Sequence, residues 1–173
     1  MRRVYKILVA GPVGAGKTTL VRSLSETPVV ETEALASEEI GKATTTVAID
    51  FGILRAEDGA EVFLFGLPGQ ERFDFMWDVV AEGALGSLLL LRADRPDHVS
   101  SARRILQFLR SRTGAPILVA PTHLDTPEHW AEEEIAAFLG VPEGDVVGID
   151  AREVSSARAA LIALLDKIVQ TPL

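Results

Sequence analysis

Gly11-Pro12-Val13-Gly14-Ala15-Gly16-Lys17-Thr18 fits the pattern GxxxxGKT, and it stands between the apolar stretch Val4–Ala10 and the helix-forming Thr19-Leu20-Val21-Arg22-Ser23-Leu24. Glycines at this spacing let the backbone curl until successive N–H groups point inward at an anion, and the start of the following helix adds its positive end. Lys17 supplies a mobile full charge, and the Thr18 hydroxyl is of the type that ligates Mg²⁺. Gly14, Ala15, Gly16, Lys17, Thr18 and Thr19 are therefore the candidate phosphate ligands. The chain otherwise prefers arginine, and one of its four lysines stands here. The same string could serve as a tight strand-to-helix turn alone; the apolar run before it and the helix after it favour phosphate binding.

Other loops carry chemistry of a matching kind. Gly66-Leu67-Pro68-Gly69-Gln70-Glu71-Arg72-Phe73 is either an ordinary Pro-Gly turn or a segment in which Gly69 donates its N–H to a γ-phosphate and Gln70 orients the attacking water. Thr44-Thr45-Thr46 opens a β-branched stretch, which strand propensity alone explains; a hydroxyl there, with Thr46 preferred, can also complete a Mg²⁺ shell in response to a γ-phosphate. In Thr122-His123-Leu124-Asp125 the Asp125 carboxylate can accept the N1–H and exocyclic amine of guanine, a pair of donors that adenine lacks in that arrangement. The alternative is a helix cap, since Pro127 and Glu128 follow as a possible first turn. Asp150-Ala151-Arg152 offers the Ala151 N–H to a guanine carbonyl, or is a plain connection.

Bland readings suffice for several other residues. His98 and His129 have no partner at ligand spacing, so surface or capping roles outweigh metal binding. Trp130 reads as core on an amphipathic helix. Phe73, Phe75 and Trp77 follow the Gln70 loop and can pack in the core or anchor a partner.

These loops must be held by a scaffold, which the hydrophobic pattern supplies. Val4–Ala10 reads as a first strand; 44–54 and 60–65 alternate around the turn signal Glu57-Asp58-Gly59 and predict an antiparallel hairpin. Residues 87–91, 116–120 and 146–149 are apolar runs, and helical patterns follow at 99–112, 130–139 and 155–169. Residues 27–42 are polar and lack a clear period, so they read as a connection of a functional kind. Alternating strand and helix predicts an α/β fold with a largely parallel sheet of six strands, helices on both faces and the functional loops on one edge.

Composition sets outer bounds. The 173 residues, 47% of them hydrophobic, suit a single domain spanning 1–173. A net charge of −8 argues against nucleic acid as partner. Cysteine is absent, which removes disulfides, thiolate metal sites and a thiol nucleophile. Lys6 interrupts the first apolar stretch, which is too short for a signal peptide, and no run reaches the roughly 18 apolar residues of a membrane span. A soluble, cytoplasmic protein is expected, with peripheral membrane recruitment left open.

Taken together, GPVGAGKTT, TTVAIDF, GLPGQERF, THLD and DAR resemble, in order and spacing, the Ras-like small GTPases over essentially the whole chain. GLPGQERFDFMWD followed by EGALGSLLLLRAD looks like the bacterial branch: the conservon-type ATP/GTP-binding proteins and the related MglA group. The resemblance implies a P-loop NTPase fold with one antiparallel strand, GTP and GDP as ligands with Mg²⁺, two switch segments that sense the γ-phosphate, and a regulatory partner of the roadblock/LC7 fold. The chain also departs from the pattern. Gly66 replaces an aspartate that holds Mg²⁺ through water, and Thr122 and His123 replace an Asn that ties loops together and a Lys that covers the base. Val13 stands where many relatives have glycine and crowds the water and any inserted arginine. No arginine lies within 27–54, while Arg72 remains available. Because an arginine finger is worth about 10³ to 10⁵ in rate, intrinsic GTP hydrolysis is expected to be very slow. Two other readings stay in view: a nucleotide-binding interaction module that barely hydrolyses, and a small-molecule kinase, for which residues 27–42 lack the arginine-rich lid.

Overall fold

The computed structural model describes residues 2–37, 44–70 and 74–172. Three strands rich in branched and leucyl side chains lie side by side: β1 (Val4–Ala10), β5 (Gly86–Arg92) and β6 (Ile117–Thr122). Such continuous apolar runs favour strands buried on both faces. β1 pairs in parallel with β5 on one side and with β4 (Glu61–Gly66) on the other, and β5 pairs in parallel with β6. β3 (Thr44–Arg55) runs antiparallel to β4, and β2 (Val30–Ser37) antiparallel to β3. The resulting order is β2-β3-β4-β1-β5-β6. The turn between β3 and β4 forms where its signal stands, closed by the Gly59 N–H on Ala56 O at 3.0 Å and the Ala60 N–H on the Asp58 carboxylate at 3.0 Å.

Side-chain alternation divides the core into two layers. Ile7, Val9, Leu88, Leu90, Leu118 and Ala120 face α1 (Lys17–Leu24) and α5 (Val154–Gln170). Leu8, Ala10, Leu89, Leu91 and Val119 face α2 (Asp74–Ala81), α3 (Pro96–Arg112) and α4 (Glu132–Leu139). Leu88 to Leu91 are all fully buried, each worth about 1.5–3 kcal/mol relative to exposure. The four parallel strands end at Ala10, Gly66, Arg92 and Thr122, so the loops that follow them emerge along one edge.

The sheet differs from expectation in its membership. Five of the six expected strands form, but 146–149 does not: it makes one isolated bridge, Val146 to Val119. The Val147 and Ile149 N–H groups bond Val119 O and Pro121 O, each at 2.9 Å. A single 3₁₀ turn, Glu143–Asp145, precedes it, and the run is too short to extend the ladder before the chain turns into α5. The remaining strand is β2, which occupies 30–37 inside the stretch expected to be a connection. It lies at the sheet edge, held by backbone pairing with β3, and an edge strand so paired needs no apolar period in its sequence. Residues 38–43 lie outside the described residues. The third expected helix also begins later than its pattern suggested, at Glu132, with the Glu134 carboxylate accepting the Ala131 N–H at 2.8 Å.

Candidate functional site

β1 delivers the chain into the glycine loop, and Gly16 closes it as the N-cap of α1 with φ 105°, left-handed geometry suited to glycine. No side chain caps the helix, so its first N–H groups face the loop. The Lys17 ammonium curls back and donates to Gly11 O at 2.7 Å and Pro12 O at 2.8 Å. Burial lowers its pKa from 10.5 to about 8, against the opposing pull of the Asp50 carboxylate. A charge held this way is poised to exchange two carbonyls for phosphate oxygens.

The Thr18 hydroxyl donates to Oδ2 of Asp50 at 2.5 Å. Asp50 was not among the residues singled out by motif, and its position comes from the sheet: in the β3–β4 register it stands opposite Gly66. A Cβ built on Gly66 would lie 3.1 Å from the Asp50 Cβ and 3.4 Å from its Oδ2. The carboxylate that Gly66 lacks is thus supplied from the neighbouring strand into nearly the same space. The signal that could have found it is a lone charged residue in the otherwise uncharged run TTVAIDF, facing a glycine on the adjacent strand. Thr18 and Asp50 are hard oxygen donors of the kind Mg²⁺ takes. Thr46, the other expected metal ligand, is paired with Leu35 in the β2–β3 ladder. Four residues of strand, about 13 Å at roughly 3.3 Å each, separate it from Asp50, so this arrangement does not bring it to Thr18.

The loop after β4 is pinned at several points. The Leu67 N–H donates to Val9 O at 2.8 Å, and the indole N–H of Trp77 donates to Pro68 O at 3.0 Å. Trp77 is fully buried, so of the aromatic cluster it serves the core, while Phe75 is exposed. Gly69 sits against the glycine loop so closely that a Cβ would fall 2.6 Å from Val13 N and 2.8 Å from Pro12 C; only glycine fits. Gln70 is exposed beside it, and residues 71–73, Phe73 and the potential finger Arg72 among them, lie outside the described residues.

Next to the glycine loop is a cavity of about 490 Å³, walled by Gly14 to Gly16 and Thr19, by Thr122, His123 and Asp125, and by the 148–152 loop with Ala151. The expected base-side residues therefore converge. Thr122 is buried, with Oγ1 3.2 Å from both Ala15 O and Leu91 O and 2.8 Å from Nδ1 of His123. A hydroxyl has one proton, which serves these two carbonyls because they only accept, and the direction of the His123 contact follows the imidazole tautomer. The loop-tying role expected to be lost with the usual Asn is thus filled by a hydroxyl. His123 adopts φ 60°, a conformation unfavourable for a residue with a side chain. Thr122→Val, which preserves shape but removes the hydroxyl, is expected to cost about 1–3 kcal/mol by leaving buried acceptors unpaired; the midpoint of urea unfolding measures it.

Asp125 is largely exposed, and its Oδ2 lies 3.6 Å from the Arg152 guanidinium. It does not cap α4, which starts seven positions later at Glu132. Arg152 also chelates Asp150 at 2.9 and 2.8 Å, and this contact, with the Arg152 backbone N–H, holds the Asp150 carboxyl at about 2. His98, expected at the surface or as a cap, is buried in the first turn of α3. Its Nδ1 accepts the Arg92 N–H at 3.3 Å, and burial lowers its pKa. Nδ1 of exposed His129 lies 2.8 Å from Thr126 O. Among the described residues, no group of three or more His, Cys, Asp or Glu side chains forms a metal cluster, and no helix is long and apolar enough to cross a membrane.

A family model described as "Conserved hypothetical ATP binding protein" matches residues 29–171, a span that begins after the glycine loop. An uncharacterised protein of Methanocaldococcus jannaschii is 34% identical over 93 residues, 52% of this chain and 52% of that protein. ADP-ribosylation factor-like protein 8b of Arabidopsis thaliana is 26% identical over 144 residues, 81% of this chain and 72% of that protein. Ras-related protein RABA1g of Arabidopsis thaliana is 26% identical over 116 residues, 67% and 50% respectively. The chain thus spans about half the length of the first and third. The two Arabidopsis names agree with the broad Ras-like resemblance, and none of the names carries the narrower conservon or MglA assignment. With the family model covering most of its length, the chain belongs to the conserved hypothetical ATP-binding protein family.

Proposed function

We propose that the chain is a single-domain, Mg²⁺-dependent guanine-nucleotide switch that hydrolyses GTP slowly and leaves acceleration to a partner, for which a roadblock/LC7-type regulator is the candidate. One observation carries this reading: Lys17, Thr18 and Asp50 converge at the mouth of the glycine loop, with the Thr18 hydroxyl on the Asp50 carboxylate. In it, Lys17 leaves Gly11 O and Pro12 O for phosphate oxygens, and the N–H groups of 14–19 hold the rest of the phosphate chain. Thr18 and Asp50 would hold the metal, which when bound neutralises charge on the β- and γ-phosphates. The Gly69 N–H takes a γ-oxygen and Gln70 orients water for attack on the γ-phosphorus, the bond to the bridging oxygen breaking to give GDP and phosphate. For Thr46 to join, the start of β3 must leave its pairing with β2, which makes that ladder the candidate moving part.

Val13 favours a second reading, a binding module with little hydrolysis. It is 59% exposed on the loop, beside Gly69, where its branched side chain restricts the water and an incoming arginine. Single-turnover hydrolysis of γ-labelled GTP tests the first reading. The chain alone is expected to run several orders of magnitude below the rates of about 5–20 s⁻¹ reached by finger-assisted hydrolysis, and a rate near one per second without a partner would sink the claim. The same assay with ATP addresses the base named in the family's description.

A further inference from the structure

Arg152 stands between the two carboxylates that border the cavity. Its Nε and Nη2 donate to Asp150 at 2.9 and 2.8 Å, its backbone N–H donates to the same carboxylate at 3.0 Å, and Nη2 lies 3.6 Å from Oδ2 of Asp125. The chelate fixes the guanidinium plane to the 148–152 loop. A guanidinium carries five N–H donors, and the fork onto Asp150 consumes two. Nη2, which keeps one further N–H, is the guanidinium nitrogen 3.6 Å from Asp125 Oδ2, so the cavity rim presents an acceptor next to a donor.

That order matches one purine edge. Guanine offers donors at N1 and the 2-amino group and an acceptor at its 6-carbonyl; adenine offers an acceptor at N1 and a donor at its 6-amino group, the reverse. We propose that Arg152 is a specificity-determining residue that donates to the 6-carbonyl of a guanine base whose N1–H and 2-amino group are taken by Asp125. Against adenine the same pair sets donor against donor and acceptor against acceptor, and each mismatch leaves a desolvated polar group unpaired. The inference rests on the nucleotide-binding reading and extends it to how the base is chosen.

The test uses the full chain and three diphosphates titrated by fluorescence: GDP, IDP, which keeps the 6-carbonyl and N1–H without the 2-amino group, and 2-aminopurine riboside diphosphate, which keeps the amino group without the carbonyl or the N1–H. Arg152→Ala is expected to weaken GDP and IDP by about tenfold to a hundredfold and to change the 2-aminopurine nucleotide less than twofold. Equal losses for all three would mean that Arg152 only braces the loop, and an unchanged GDP affinity would mean that it does nothing for the base; either overturns the proposal. Wild-type binding of ADP as tight as GDP overturns it too, while leaving nucleotide binding intact. If the wild-type chain binds none of the diphosphates, the underlying function itself fails.

Discussion

Asp50→Ala is expected to abolish most of the effect of Mg²⁺ on nucleotide affinity, and a second change, Gly66→Asp, is expected to restore it. The first expectation follows from the donor set, since Asp50 is the carboxylate bonded to Thr18. Losing a charged oxygen partner costs about 1.5–3 kcal/mol, or roughly tenfold to a hundredfold in affinity. The second follows from the cross-strand register, because a side chain at Gly66 starts 3.1 Å from the Asp50 Cβ. Removing Asp50 vacates space that a carboxylate from β4 can enter. Gly66→Asp alone should be worse than either, with two carboxylates crowded at one point. The measurement is GDP affinity with Mg²⁺ and with EDTA for the four proteins. A Mg²⁺ effect that survives in Asp50→Ala assigns the metal to other ligands.

Lys17→Met is expected to weaken nucleotide binding by about a thousandfold or more and to flatten the rise of stability with pH in the nucleotide-free chain. Burial lowers the pKa of Lys17 from 10.5 to about 8, so below pH 8 the folded protein carries a desolvated ammonium that the unfolded chain keeps in water. A drop of that size corresponds to about 3 kcal/mol at most. Between about pH 8 and 10.5 the unfolded state binds more protons than the folded one at this position, so stability rises with pH across that window and the penalty fades. Lys17→Met should flatten this rise. Urea unfolding at pH 7 and pH 10 for both proteins reads it, and identical slopes against pH would show that Lys17 is already solvated in the fold.

Much of this arrangement was legible where local chemistry and local structure coincide. The glycine loop, the Glu57-Asp58-Gly59 turn and the leucine run of β5 each specify their own geometry, so pattern and structure agree to within a residue or two. Strand β2 was not legible, because an edge strand held by backbone pairing needs no apolar period, and its glutamates and threonine read as a loop. The run 146–149 failed the opposite way: it is apolar because Val146 and Ile149 are buried, yet beside β6 it makes a single bridge and no strand. Asp50 lay beyond motif reasoning, since its meaning depends on the β3–β4 register and on an absence at Gly66. Thr122 illustrates a substitution that reads as a loss in one dimension and proves a replacement in three, a hydroxyl reaching the two carbonyls that hold neighbouring loops.

The placement of Asp50 couples two things that are separate when the carboxylate sits on β4. β4 is locked between β1 and β3, whereas β3 is also zipped to the edge strand β2 and leads back to Thr46. Any slip of β3 moves the carboxylate with it: one residue turns it to the opposite face of the sheet, and two shift it about 7 Å along the strand. If Asp50 holds a cation as proposed, that cation would report strand register, gripped only when β3 is seated in one alignment.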